Sequence, residues 1–129
     1  MNQFTGAELQ EALRAITSAL GKSEKAQHKL KTGTFQYRLT AQGIKAYQMA
    51  ICLIERSLGA AAATGEATPV YADAELAEAR AFFASAAGRV EKVLPKFAAG
   101  TSQHTLATRR IKAFQLASAL IEKHPAAAQ

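Results

Sequence analysis

Few side chains in this sequence are able to do chemistry, and they are scattered. The histidines are His28, His104 and His124, and no two of them share a helix face with a carboxylate in the Glu-x-x-His pattern of a bundle metal site. Glu24 and His28 are four apart, the spacing of an ordinary surface contact. Cys52 is the one cysteine, so no intramolecular disulfide forms, and no histidine is placed to activate it. No catalytic residues, metal ligands or cofactors are expected.

Charged and amide residues are more regular. Lys22, Lys25 and Lys29 recur at helical spacing, and Arg89, Lys92 and Lys96 repeat them further on. Such ridges suit a phosphate backbone or an acidic protein. The plainer reading is that they complement the helix dipole, opposite Glu8, Glu11, Glu75 and Glu78 in the first turns. Gln48 and Gln115 match, as do Glu55 and Glu122. They are candidates for a doubled site, or for paired hydrogen bonds that fix how helices meet. Ile44, Met49 and Cys52 form a candidate apolar interface at the edge of the second helix, unless the core simply wraps further round.

These correspondences belong to an internal repeat. Shifted by 67 positions, residues 4–56 align with 71–123 without a gap, and 23 of the 53 pairs are identical. Chance at this composition gives about a tenth. The chain therefore reads as one domain, 1–129, made of repeat 1 (4–58), a small-residue linker (59–70) that includes Pro69, and repeat 2 (71–124).

Each repeat predicts helix, tight turn, helix. Thr5 and Glu8 have the spacing of a capping box, and Phe4 and Leu9 that of a hydrophobic staple. Tyr71 and Leu76 keep the staple, with Asp73 a possible cap in place of Ala72. A three-four seam follows: Leu9, Ala12, Ile16, Ala19, Ser23, Ala26, Leu30, and then Leu76, Ala79, Phe83, Ala86, Val90, Val93, Phe97. Gly33-Thr34 and Gly100-Thr101 end one helix and cap the next. The second helices are expected to bury Leu39, Ala46, Tyr47, Ala50, Leu53 and Ile54, and their counterparts Leu106, Ala113, Phe114, Ala117, Leu120 and Ile121. Gly21 and Gly88 predict close contact or a break, and Pro95 a kink in a continuous third helix.

The expected fold is all-α: a four-helix bundle built from two tandem, pseudo-twofold-related helical hairpins. With 129 residues, 49 % of them apolar, the chain can bury a core without staples. The net charge is +6, shared by both halves, which permits an anionic partner without requiring one. No apolar run approaches 18 residues and no signal segment is seen at the N-terminus, so a cytoplasmic protein without membrane contact is expected. The preferred function is a non-enzymatic protein-binding, adaptor or structural module whose partner is another protein or itself. The alternatives are nucleic-acid binding along the basic ridges, and a small-ligand carrier or enzyme with a pocket between the hairpins.

Overall fold

The computed structural model describes residues 4–59 and 71–123. Most of the expected linker and His124, the last residue of repeat 2, lie outside the described residues. Within them the chain is all helical, with four α-helices and no strand: α1 (Gly6–His28), α2 (Phe35–Ser57), α3 (Asp73–Val93) and α4 (Ser102–Lys123). A short 3-10 turn, Leu94–Lys96, follows α3.

Local chemistry sets the helix ends. Thr5 Oγ1 accepts the Glu8 N–H at 3.1 Å, and Glu8 Oε1 accepts the Thr5 N–H at 2.9 Å. In α3 only half of this box exists. Glu75 Oε1 accepts the N–H of Ala72, and Ala72 has no side-chain acceptor to return the bond. Asp73 is not the cap; it is the first helical residue. The two interhelical turns are alike. Gly33 and Gly100 have φ of +91° and +87°, a left-handed backbone that a Cβ disfavours. Thr34 and Thr101 each accept an N–H three residues on and donate back to a carbonyl three residues before.

Helix packing joins neighbours round a bundle: α1 with α2, α3 with α4, α1 with α4, and α2 with α3. On the diagonals, α2 also meets α4, whereas α1 and α3 do not approach. This explains one departure from expectation. A helix packed on three others needs a wide apolar stripe, so Met49 and Leu116 are core residues. Ile44 and Cys52 beside Met49 are half-buried, and no exposed apolar patch exists there. The core wraps further round instead.

The core fills only one half of the bundle's length. Leu9, Ala12, Ile16 and Ala19 are buried in α1, and Leu76, Ala79, Phe83, Ala86 and Ala87 in α3. Nothing in residues 20–42 or 88–106 is buried. The seam continues in sequence beyond these points but has no cover. Leu39 and Leu106, expected inside, are 47 % and 48 % exposed, because they lie near the turns where the core has ended. Phe35 is 67 % exposed at the same end. The two hairpins thus share a packed base and carry unburied tips.

Two further expectations change. Both α1 and α3 run unbroken through Gly21 and Gly88, and a Cβ at either position would meet nothing within 4 Å. Neither glycine marks a break or a close contact. Nor does Pro95 kink a continuous helix. It removes the N–H that the next helical turn needs, so α3 ends at Val93 and the chain tightens into the 3-10 turn.

Candidate functional site

Charge divides along the same line as burial. Residues 20–42 and 88–106, the two tips, hold Lys22, Lys25, Lys29, Lys31, Arg38, Arg89, Lys92 and Lys96, and Arg110 stands just beyond their border. Only Glu24 and Glu91 oppose them. The rest of the described chain is close to neutral. All six residues of the expected basic ridges are at this end, but they do not form one continuous face. All six are exposed; Lys25, Lys29, Lys92 and Lys96 stand on the arms, while Lys22 and Arg89 line a shared cleft.

That cleft, about 310 Å³, opens where the core ends. Its floor is aromatic. Tyr47 lies 6.3 Å from Phe114 in a stacked pair and 5.9 Å from Phe83, which is fully buried. Ala19, Ala86, Val90 and Val93 form the apolar walls, and Lys22, Arg89 and Arg110 supply three cations. No carboxylate lines it, and among the described residues none of the three cations forms an ion pair. Arg89 is steadied by a 2.9 Å hydrogen bond from Nη1 to Ser85 Oγ. Burial raises the Tyr47 hydroxyl above its ordinary value, and the Arg110 and Arg89 charges with a Ser23 hydrogen bond pull it partly back.

Arg110 escaped the sequence reading because it does not recur. Its partner 67 residues earlier is Gly43, the most drastic exchange between α2 and α4. Space explains it. A Cβ on Gly43 would come within 3.0 Å of the Phe82 ring, whose own counterpart is Ala15. One seam, between α2 and α3, thus sets glycine from repeat 1 against a large ring from repeat 2, and the equivalent positions of the other seam, between α1 and α4, hold alanine and arginine. That exchange was the available signal.

Two further cavities lie on the seams between hairpins. One, about 280 Å³, is lined by Gln42, Lys45, Ala46, Gln48, Met49, Tyr71, Glu75, Glu78 and Ala79. The other, about 260 Å³, is lined by Phe4, Ala7, Glu8, Glu11, Ala12, Arg109, Lys112, Ala113, Gln115 and Leu116. Every residue of the first stands 67 positions from a residue of the second. Their charges differ at one place, where Arg109 replaces Gln42. Arg109 lies 3.8 Å from Glu11, and both side chains are more than half exposed, so the pair contributes a few tenths of a kcal/mol at most.

Gln48 and Gln115 therefore do not meet each other; each is exposed in its own groove, and neither side chain makes a hydrogen bond to the described residues. Glu122 lies with Gln115, Ser118 and Glu91 along a shallow recess between α3 and α4, and Glu55 is exposed on α2. Beside the first groove, the Tyr71 hydroxyl is pushed up to about 12 by burial, then by its hydrogen bond with Cys52, the Cys52 charge and Glu75. His28 is exposed and His104 half-buried, and no group of three metal-binding side chains gathers among the described residues.

No protein-family model matches the chain, and neither the curated proteins nor the solved structures give a match. No helix among the described residues is long and apolar enough to cross a membrane.

Proposed function

We propose that this chain is a non-enzymatic binding module that captures an acidic, amphipathic segment of another protein at its basic end. One observation carries the reading: the tips combine eight cations against two carboxylates with the exposed apolar side chains Phe35, Leu39, Val93 and Leu106. Protein interfaces join an apolar centre to a polar rim, whereas nucleic-acid interfaces are more polar and more uniformly cationic. A labelled Glu/Leu-rich helical peptide tests it against a single-stranded oligonucleotide of equal charge. The peptide is expected to bind more tightly, and to lose about tenfold in Lys25→Glu/Lys92→Glu and in Phe35→Ser. Tighter oligonucleotide binding with a steep salt dependence, unaffected by Phe35→Ser, would assign the basic end to nucleic acid instead.

The module's architecture is best accounted for by duplication of an ancestral hairpin that dimerised about a twofold axis. The paired linings of the two seam grooves support this, as does the cleft, where Ala19 faces the role of Ala86, Lys22 of Arg89, and Tyr47 of Phe114. Residues 1–60 expressed alone are then expected to dimerise or to stay unfolded. A well-folded monomer at micromolar concentration would count against the account.

The matched grooves favour a second reading, a small-ligand carrier with two equivalent sites. Its signature is a two-to-one stoichiometry in fragment titrations that Gln48→Trp and Gln115→Trp each reduce by one. Absence of saturable binding at millimolar concentration would remove it.

A further inference from the structure

Three cations converge on the cleft at the end of the core, and no carboxylate answers them. Lys22 comes from α1, Arg89 from α3 and Arg110 from α4, so the folding of three separate helices brings like charges together. Surface cations on a flexible arm would spread apart. Here Arg89 is held by Ser85, and Arg110 is half-buried against the aromatic floor. Such an arrangement is unfavourable by itself and becomes favourable when an anion fills it.

We propose that the cleft is a binding site for a phosphoryl dianion carried on a small apolar body. The charge count selects a dianion over a carboxylate. Two guanidinium forks match the spread oxygens of a phosphate. The Ser23 and Tyr47 hydroxyls add neutral donors on the inner side. Val90, Val93 and Phe114 give the body its wall. At about 310 Å³ the cleft is at the small end of ligand pockets, larger than a bare phosphate and able to take a phosphate with a ring.

The inference rests on the reading of this end as anion-facing, but its test involves no polypeptide. Phenyl phosphate, inorganic phosphate and benzoate are titrated separately into the full chain, followed by heteronuclear NMR. Phenyl phosphate is expected to bind saturably, about tenfold tighter than either of the others, with shifts centred on Arg89, Arg110 and Val90. Arg110→Gln and Arg89→Gln each weaken it about tenfold; Lys29→Gln, outside the cleft, leaves it unchanged. Lys22→Gln serves if an arginine variant proves misfolded by circular dichroism. Benzoate binding as tightly as phenyl phosphate, or binding indifferent to all three cleft variants, or no saturation below about 10 mM, overturns the assignment. Phe35→Ser weakens peptide capture about tenfold while leaving phenyl phosphate binding intact, so the two proposals fail separately.

Discussion

Four of the glycines fall into two kinds of position, and the same substitution has opposite effects at each. Gly21 and Gly88 sit mid-helix with open space where a Cβ would go. Alanine there removes backbone freedom from the unfolded chain and adds helix propensity, so Gly21→Ala and Gly88→Ala should each stabilise by about 0.5–1 kcal/mol. At Gly33 and Gly100 the backbone is left-handed, and alanine should destabilise by about 1 kcal/mol. Urea midpoints of the four variants check both signs. Tyr71 gives a pH prediction. Its folded-state value is raised from 10 to about 12, so the neutral hydroxyl favours the folded state. That contribution is complete below pH 10 and is lost as the pH rises toward 12. Tyr71→Phe should therefore blunt the loss of stability in alkaline denaturation; an unchanged alkaline onset would dissociate the hydroxyl from the effect.

Helices make the legible part of the fold. The capping box of α1 and the caps of α2 and α4 are contacts between residues three apart, and a local spacing carries all the information they need. Removing the hydroxyl at Thr34 or Thr101 should cost about 1 kcal/mol each, measured by thermal or chemical unfolding. The seam was legible in direction and not in extent. Periodicity tells which face of a helix is apolar; it does not tell whether another element covers that face. Leu9 to Ala19 and Leu39 obey the same rule in sequence, yet only the former have neighbours. The width of the α2 stripe was underestimated for a related reason, since contact with three helices is a property of the assembly. At Pro95 the breaking residue was visible but its outcome was not. Pro95→Ala should lengthen α3 by one turn, seen as new amide protection around Leu94–Phe97.

At the scale of the whole molecule, the candidate site divides into what recurs and what does not. Lys22 and Arg89 were found because they repeat. Arg110 was not, because only the meeting of four helices brings an unrepeated residue to the same cleft. The base should behave as one cooperative unit. Phe83 is fully buried and touches Tyr47, Phe82 and Phe114, so Phe83→Ala should cost about 3–5 kcal/mol. Calorimetry that showed a loss below about 1 kcal/mol would mean that the aromatic floor is not the keystone of the core.

The confinement of the core to one half also separates two selective demands. Residues that hold the bundle together and residues that face outward at the turns scarcely overlap. Amide hydrogen exchange should resolve this as slow exchange in the basal halves of all four helices and fast exchange in the arms. Substitutions in the arms outside the two Gly-Thr turns then carry little thermodynamic penalty, and each arm is free to diverge without its twin. Composite arms from unrelated hairpins could be grafted onto this base at Leu20 and Gly43, or at Gly88 and Ala107, with the register of the core left undisturbed.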